Sequence, residues 1–308
     1  MASKKPLDPR LTEQRNPRTA EIDRLSCLEI VDVINAEDRR VAPAVYAERH
    51  KLAQAIEMVE ECFRAGGRLI YVGAGTSGRL GVLDASEMPP TFGTPPDMVQ
   101  GVIAGGAEAL TRAIEGAEDH PEDGVREMDE RQVGPNDMVI GIATSGTTPF
   151  VHGALQRAKE RGARTGFILC TPPSQEILDR YDVVIAPLVG PEVVTGSTRM
   201  KAGTATKLVL NTISTGAMIR LGKTWGNLMV DLRATNMKLQ DRSERILMEV
   251  LDLSRAEAAE LLACAGGSVK TAIAMYWTDS SAEEARERLR QADGRLARIV
   301  EEARANGD

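Results

Sequence analysis

Residues 71–81 read YVGAGTSGRLG, a glycine-rich turn between a short apolar run and a segment of helical character. Gly73, Gly75 and Gly78 give this turn the spacing G-x-G-x-x-G. Between a strand and a helix, that spacing predicts a loop whose backbone amides bind phosphate at the start of the helix. A dinucleotide and a phosphate monoester both fit such a loop, so the surrounding sequence has to decide between them.

Short apolar runs recur along the chain at intervals that leave room for a helix between them. They are RLIYV, VQGVIA, DMVIGIA, TGFILC and DVVIAPL, at residues 68–72, 99–104, 137–143, 165–170 and 182–188. Nearly continuous apolar strands that alternate with helices are typical of a parallel sheet covered on both faces. The sequence therefore predicts an α/β fold, a three-layer α-β-α sandwich around a five-stranded parallel sheet.

Helical patterns flank these strands at both ends of the chain. Helices are predicted over residues 26–37, 43–65, 199–222 and 230–252, and shorter ones follow from residue 254. Ser254, with Glu257 three residues later, indicates a capping box at the start of the first short helix. We predict one domain over residues 1–245 and a small helical unit over residues 246–308.

The composition narrows the class of protein. The chain has 308 residues, of which 42% are hydrophobic and 3% aromatic, and its net charge is −7. A negative net charge argues against bulk attraction to nucleic acid or to acidic membrane surfaces. No apolar stretch reaches the length of about 20 residues that a membrane span needs. The N-terminal residues are polar and carry no signal-peptide core, so we expect a cytoplasmic protein.

Neither the cysteines nor the histidines have the spacing of a metal site. Cys27, Cys62, Cys170 and Cys264 lie far apart, and three of them fall in apolar patterns. This arrangement predicts reduced thiols in the core. The three histidines also lack metal-ligand spacing. We predict no bound metal and no cofactor.

Two features of the glycine-rich turn favour a phosphate monoester over a dinucleotide. A dinucleotide site usually has an acidic residue at the end of the second strand, where it binds the ribose hydroxyls. Here the first acidic residue after that strand, Glu108, comes later, in a segment predicted to be helical. Thr76 and Ser77, next to Gly75, also place two hydroxyls beside the helix amides, and each hydroxyl can donate to a phosphate oxygen.

A second turn of the same kind follows the third predicted strand, and we call it the Ser/Thr turn. It covers residues 141–149, GIATSGTTP, and contains Thr144, Ser145, Gly146, Thr147 and Thr148. Because the carboxyl ends of parallel strands meet at one edge of a sheet, the two turns are expected to form one ligand site. Either turn alone could be a helix cap without a ligand, but the presence of both favours a ligand.

The two turns resemble those of the sugar isomerase (SIS) domain, which binds phosphosugars. A closer resemblance covers nearly the whole chain and rests on TEQRNPRTAEID, GAGTSGRLGVLDASEMPPTFG, AIEGAED and GPEVVTGSTRMKAGTATKLVLN, at residues 12–23, 73–93, 113–119 and 190–211. On these stretches the chain resembles the N-acetylmuramic acid 6-phosphate etherase family, which is related to the glucokinase regulatory protein. The resemblance also implies a C-terminal helical unit similar to a ubiquitin-associated domain. One departure is that many members read S-G-R-T-P where this chain has Thr147, so the arginine at that position is missing.

The resemblance implies a substrate and a reaction. The family cleaves the ether between D-lactate and C3 of N-acetylmuramic acid 6-phosphate and adds water at C3, giving N-acetylglucosamine 6-phosphate and D-lactate. The open-chain aldehyde acidifies the C2 proton, so a base can remove it, and an acid must protonate the departing ether oxygen. Carboxyl groups can fill both roles where a dry site raises the pKa of one of them. The resemblance further implies a homodimer.

The resemblance assigns the proton donor to Glu87 and a second active-site acid to Glu118. Glu87 comes just before Pro89 and Pro90, which are expected to end the helix that begins at the glycine-rich turn. Glu118 is expected near the end of the helix after the second strand. From the residues alone, both could be exposed surface acids. The neighbouring acids that the sequence leaves open are Asp84, Glu115 and Asp119.

Residues 195–207, TGSTRMKAGTATK, have two interpretations. In one, the hydroxyl groups at positions 197 and 198 cap the following helix, and its lysines lie on exposed faces. In the other, four neighbouring residues close over the bound sugar: Ser197, Thr198, Arg199 and Lys201.

Two other functions fit the same fold. An aldose–ketose isomerase would also use a glutamate to move the C2 proton, and a sugar-phosphate sensor would bind the ligand without catalysis. A sensor does not need an acid pair, so the presence of both Glu87 and Glu118 favours an enzyme. Release of D-lactate would separate the three functions.

Overall fold

A computed structural model describes residues 10–232 and 237–307 of the chain. The strands in these ranges are β1 (Leu69–Gly73), β2 (Val99–Ile103), β3 (Met138–Ile142), β4 (Arg164–Ile168), β5 (Val183–Ile185), β6 (Thr224–Trp225) and β7 (Leu228–Met229). The helices are α1 (Cys27–Asp38), α2 (Val41–Ala47), α3 (Arg49–Arg64), α4 (Gly75–Phe92), α5 (Pro121–Glu130), α6 (Pro149–Glu160), α7 (Gln175–Arg180), α8 (Lys201–Arg220), α9 (Met237–Leu251), α10 (Arg255–Cys264), α11 (Val269–Thr278), α12 (Ala282–Gln291) and α13 (Leu296–Gly307). Short 3₁₀ turns lie at Leu11–Glu13, Pro17–Thr19, Ile22–Arg24, Gly106–Leu110 and Ala117–Asp119.

Five of the strands form a parallel sheet in the order β2-β1-β3-β4-β5. Each strand falls within one of the five predicted apolar runs or within one residue of it, and every residue of β1, β3 and β5 is buried. Parallel strands that are buried on both faces read as continuous apolar runs, which is why the sequence pattern was informative. The prediction of an α/β fold with a five-stranded parallel sheet is confirmed.

Helices cover both faces of this sheet. Ile70 and Val72 of β1 are buried in the same apolar cluster as Phe150 of α6. The side chain of Tyr71, between them, points to the opposite face because side chains alternate along a strand. There α4 approaches so closely that a Cβ added at Gly81 would lie 2.9 Å from Cβ of Tyr71. The layers are therefore helix, sheet and helix.

The helix predicted over residues 43–65 and helix α4 differ from their predicted bounds. The helix predicted over residues 43–65 is divided at Glu48, whose Oε2 accepts a hydrogen bond from the backbone N–H of Ala186 at 3.2 Å. Helix α4 continues through Pro89 and Pro90 to its last residue, so the prediction that the prolines end it is wrong. Proline has a φ angle that a helix accepts, although each of the two prolines lacks an N–H to donate and crowds the preceding turn. The N–H of Gly93 donates to the carbonyl of Pro89 at 3.0 Å and closes the last turn.

The helix predicted over residues 230–252 does not include residues 230–232, and residues 233–236 lie outside the described ranges. β6 and β7 form a two-stranded antiparallel hairpin in the residues before it, and α9 begins at Met237. The sequence does not predict this hairpin, because its strands have two residues each, too few to show an alternating pattern.

The chain divides into two compact units. Among the described residues, the first contains 10–86 and 97–214, and the second contains 87–96 and the residues from 215 onward. The predicted boundary at residue 245 falls inside α9, whereas the two units divide between residues 214 and 215. The apolar core of the second unit already includes Val230 and Leu232, which precede that helix.

The C-terminal unit is helical, as predicted. The hydroxyl of Ser254 accepts from the backbone N–H of Glu257, and the Glu257 carboxylate accepts from the Ser254 N–H at 2.8 Å, so the predicted capping box is confirmed. α10 and α11 are joined through Gly266 and Gly267, which both have positive φ angles. No single helix in the described ranges is long and apolar enough to span a membrane; α10 and α11 reach that length and hydropathy only together, across a bend of 99°.

The four cysteines are free thiols, but only two belong to the core. Cys62 and Cys170 are buried, whereas Cys27 and Cys264 are exposed. Burial raises the pKa of both core thiols to about 12. The prediction of core thiols therefore holds for two positions and is wrong for the other two.

Candidate active site

The two predicted turns meet at the carboxyl edge of the sheet. β1 and β3 are neighbouring strands, α4 begins at Gly75 directly after β1, and α6 begins after β3 with Thr148 as its N-cap. Gly78 permits the close approach at the first turn, since a Cβ there would lie 2.8 Å from the carbonyl oxygen of Gly73. Two helix N-termini therefore point toward one place, which favours an anionic ligand.

A cavity of about 510 Å³, which we call the turn cavity, opens between these turns within the first unit. Seven of the predicted site residues line it: Gly75, Thr76, Ser77, Glu118, Ser145, Thr147 and Thr148. It is also lined by residues that the sequence analysis did not assign to the phosphate or to catalysis: Arg10, Glu13, Ala74, Asp119, Ile142, Ala143, Thr144, Pro149, Gly196 and Thr198.

Gly146 shapes the Ser/Thr turn without lining the cavity. Its φ angle is +81°, in the region that favours glycine. Its N–H donates to the carbonyl of Ala143 at 2.8 Å, and its own carbonyl lies 2.9 Å from Nε2 of His152. Nδ1 of His152 lies 2.7 Å from the hydroxyl of Tyr181, which fixes the ring. The turn is therefore held in shape by the carbonyl of Ala143 and by two side chains that do not line the cavity, those of His152 and Tyr181.

The hydroxyls of the Ser/Thr turn are close to one another. Oγ of Ser145 and Oγ1 of Thr147 are 3.2 Å apart. Nη1 of Arg10 donates to Oγ1 of Thr147 at 3.3 Å, although the two residues are 137 positions apart in the chain. A phosphate at this turn would therefore meet hydroxyls, helix amides and one guanidinium.

Glu118 lines the turn cavity from a different element than predicted. It lies in the 3₁₀ turn Ala117–Asp119, after Gly116 with a φ angle of +75°, and not in an α-helix. Its side chain is exposed, so Glu118 is not the carboxyl group in dry surroundings that the sequence analysis expects for one member of the pair. The neighbouring Asp119 lines the same cavity, while Glu115 lines a smaller cavity of about 320 Å³ that shares Glu118.

Glu87 and Asp84 are placed differently from Glu118. Glu87 is exposed on α4, does not line the turn cavity and belongs to the second unit. Asp84 is buried in the first unit, where Oδ1 accepts from Nδ2 of Asn211 at 2.7 Å and from the hydroxyl of Ser214 at 3.1 Å. Burial raises the pKa of the Asp84 carboxyl. Asp84 is therefore a core group.

Lys201 is neither exposed nor at the turn cavity. It is fully buried, and Nζ donates to Oε2 of Glu37 at 2.6 Å and to the carbonyl of Val189 at 2.9 Å. Glu37 also accepts from Nε of Arg18 at 2.5 Å. The hydrogen bond from Arg18, together with Lys201, lowers the pKa of the Glu37 carboxyl to about 2. Lys201 is thus a structural cation, and both interpretations of it are corrected.

The first two backbone amides of α8 donate to a carboxylate nine positions before the start of the helix. Glu192 accepts from the backbone N–H of Lys201 at 3.0 Å and from that of Ala202 at 2.9 Å, and burial raises the pKa of this carboxyl. Of the two hydroxyl residues predicted to cap the helix or to cover the sugar, Thr198 lines the turn cavity and Ser197 does not. The segment before α8 therefore reaches the cavity through Thr198.

We expect Ser77→Ala and Ser145→Ala each to weaken sugar-phosphate binding without unfolding the protein. Each hydroxyl lost from a charged ligand should cost about 1.5–3 kcal/mol, or roughly 10- to 100-fold in affinity. Titration calorimetry with N-acetylglucosamine 6-phosphate measures this change. Ser86→Ala, which removes an exposed hydroxyl bonded to the carbonyl of Leu83 on the same helix, is the matched control. If both cavity variants bind the sugar phosphate with unchanged affinity, the two turns are helix caps and do not bind the phosphate.

Comparison with known proteins decides the family. Residues 51–159 match the family described as glucokinase regulatory protein N-terminal SIS domain. The N-acetylmuramic acid 6-phosphate etherase of Rhodopirellula baltica is 55% identical over 289 residues, which cover 94% of this chain and 95% of the relative. The chain belongs to the N-acetylmuramic acid 6-phosphate etherase family. The etherase of Synechocystis sp. is 51% identical over 293 residues, covering 95% of this chain and 96% of that protein.

The two matches differ in how much of the chain they cover. The SIS match includes both turns and Glu118, whereas the etherases also match nearly all of the remaining chain. Among solved structures, a phosphoheptose isomerase from Francisella tularensis is similar with a TM-score of 0.49 and 17% identity, over 63% of this chain and all of that one. Membership of the etherase family confirms the resemblance found in the sequence.

Proposed function

We propose that this protein cleaves the D-lactyl ether of N-acetylmuramic acid 6-phosphate, as a carbon–oxygen lyase, to give N-acetylglucosamine 6-phosphate and D-lactate. One observation carries the proposal: a carboxylate, Glu118, lines the same cavity as the two hydroxyl-rich turns at helix N-termini. The turns suit the phosphate, and the carboxylate can transfer protons on the sugar. The names of relatives that are more than half identical support the same reaction.

The reaction consists of an elimination followed by a hydration. A base takes the proton from C2, the electron pair forms the C2–C3 double bond, and the C3–O bond breaks. The ether oxygen leaves with lactate and receives a proton from an acid. Water then adds at C3 and a proton returns to C2, which gives the product and restores both protein groups.

We assign the phosphate to the turns and the proton transfers to two glutamates. Thr76, Ser77, Ser145 and the hydroxyls at 147 and 148 would bind phosphate oxygens, and Glu118 would act on the sugar. The assignment of Glu87 as proton donor rests on the family resemblance, because its side chain does not line the turn cavity. Lys201 is left out of the substrate contacts because its ammonium group is bound to Glu37 in the core.

Release of D-lactate tests the proposed function directly. The purified protein is incubated with N-acetylmuramic acid 6-phosphate, and D-lactate is measured with a D-lactate dehydrogenase. Release that requires both the protein and the phosphorylated sugar is the expected result. An isomerase would convert a sugar phosphate without forming lactate, and a sensor would bind the ligand and leave it intact.

We also propose that the protein is a homodimer. Leu28 and Val31 on α1 are 71% and 60% exposed, which is unusual for neighbouring apolar side chains on a helix. α8 gives less support for an interface, because its apolar residues Val209 and Ile213 are buried. A second copy covering α1 would bury this face in an isologous interface.

The dimer is tested by light scattering at micromolar concentration. The wild-type mass should be twice that of one chain, and Leu28→Asp with Val31→Asp should give a monomer because a charge on each apolar side chain opposes burial. The matched control is Asp32→Asn, on the same helix. A monomeric wild-type protein would contradict the proposal.

We propose that the protein is located in the cytoplasm, because of the state of its cysteines. All four are free thiols, as is usual in a reducing compartment. Fractionation of cells that express the protein tests this, and recovery from an oxidising compartment would contradict it.

A further inference from the structure

We propose that Arg10, supplied by the N-terminal segment, is the charge partner of the substrate phosphate at the Ser/Thr turn. Among the described residues that line the turn cavity, Arg10 is the one cationic side chain. Its Nη1 donates to Oγ1 of Thr147, so the guanidinium lies at the turn where the helix α6 begins. The inference rests on the proposed function only in requiring that the ligand carries a phosphate.

The charges around the cavity explain why a cation is needed there. Glu13, Glu118 and Asp119 are the carboxylates that line it. A phosphate monoester carries close to two negative charges at neutral pH, so these carboxylates repel it. Hydroxyls and helix amides supply only partial positive charge. A guanidinium beside the Ser/Thr turn offsets the repulsion and directs the phosphate to that turn.

The N-terminal segment is fixed against the sheet edge, which holds Arg10 in place. The N–H of Leu11 donates to the Thr171 hydroxyl at 3.2 Å, in the loop that follows β4. Further along, Nδ2 of Asn16 donates to the carbonyl of Pro191 at 3.3 Å, and the Thr19 hydroxyl donates to that of Val193 at 2.8 Å.

These anchors reduce the conformational freedom that Arg10 would lose on binding. Thr12, Asn16 and Thr19 are each buried. A cation on a segment that is already ordered costs less entropy to bring to a ligand than one on a free terminus. Thr147, which lies next to this guanidinium, offers a hydroxyl and carries no charge of its own.

The test compares binding of phosphorylated and unphosphorylated sugars by variants of one position. Arg10→Ala should weaken the affinity for N-acetylglucosamine 6-phosphate about 10- to 100-fold in titration calorimetry. Arg10→Lys keeps a charge and should recover part of the affinity, whereas Arg10→Gln keeps hydrogen-bond donors without charge and should not. Binding of N-acetylglucosamine, which has no phosphate, should be the same in all of them. Arg24→Ala, which removes an exposed arginine of the same segment, is the control.

A second variant tests the position of the charge. Adding Thr147→Arg to Arg10→Ala places a guanidinium at the same turn and should restore affinity for the phosphorylated sugar. The inference is overturned if Arg10→Ala binds this sugar as tightly as the wild type does. It is also overturned if Arg10→Gln binds the sugar as tightly as Arg10→Lys does. An equal loss for both sugars also overturns it, because it would indicate a structural role. Wild-type protein that binds the phosphorylated sugar but releases no lactate would contradict only the proposed function.

Discussion

Replacing Glu87 with glutamine is expected to lower kcat for D-lactate release by about 10²–10⁴-fold or more, the loss typical of a missing general acid. Glutamine keeps the size of the side chain but cannot give a proton to the departing ether oxygen. Affinity for N-acetylglucosamine 6-phosphate should stay nearly unchanged, because Glu87 does not line the turn cavity. Steady-state kinetics and titration calorimetry on the same preparation separate the two effects.

Glu118→Gln serves as a companion to this variant. It should also lower kcat, and it can alter KM because Glu118 lines the cavity that would hold the sugar phosphate. Glu57→Gln, on an exposed position of α3, is the control for loss of a surface carboxylate. If Glu87→Gln turns over at a near-normal rate, the proton donor has to be sought among the carboxylates of the turn cavity itself.

Replacing Glu37 with glutamine is expected to lower the free energy of unfolding by about 3–5 kcal/mol, since it leaves a buried cation without its partner. Lys201 is fully buried and has the Glu37 carboxylate at 2.6 Å. Urea denaturation at neutral pH measures the change. Glu61→Gln removes the exposed pair with Arg164 and should cost no more than about 1 kcal/mol. An equally small effect at both positions would contradict the structural role of the buried pair.

The same carboxylate makes stability depend on pH in the acid range. The pKa of Glu37 is about 2 in the folded chain against an ordinary value of 4.5. Its stabilisation, about 3 kcal/mol by linkage, is complete above the ordinary value and is lost as the pH falls through the folded value. Denaturation between pH 5 and 2 should therefore show a steeper loss of stability in the wild type than in Glu37→Gln. Parallel profiles would rule out Glu37 as a cause.

The sheet and the two turns at its carboxyl edge could be predicted because their signals are local. Each buried strand is an apolar run of about the right length, and each turn follows its strand directly in the sequence. The error at the end of α4 came where two local rules compete. Pro89 and Pro90 lie inside α4, since the hydrogen bond from Gly93 closes the turn that the prolines would otherwise open.

The rest of the site could not be predicted because its contacts join distant parts of the chain. Arg10 donates a hydrogen bond to Thr147, which is 137 positions away, and the sequence around either residue gives no indication of this contact. Lys201 looks like a surface lysine because its partner, Glu37, is 164 positions away. Helical spacing gives no indication of such partners, so charged residues are assigned to the surface by default.

Isotope labelling during turnover tests the central claim most directly. In elimination and rehydration, the C2 proton is lost and a proton from the solvent returns, so turnover in heavy water should place deuterium at C2 of N-acetylglucosamine 6-phosphate. The ether oxygen leaves with lactate, so water labelled with heavy oxygen should place its label at C3 of the sugar and none in the lactate. Direct displacement would leave C2 without deuterium. Product of that kind, or heavy oxygen found in the lactate, would contradict the proposed reaction.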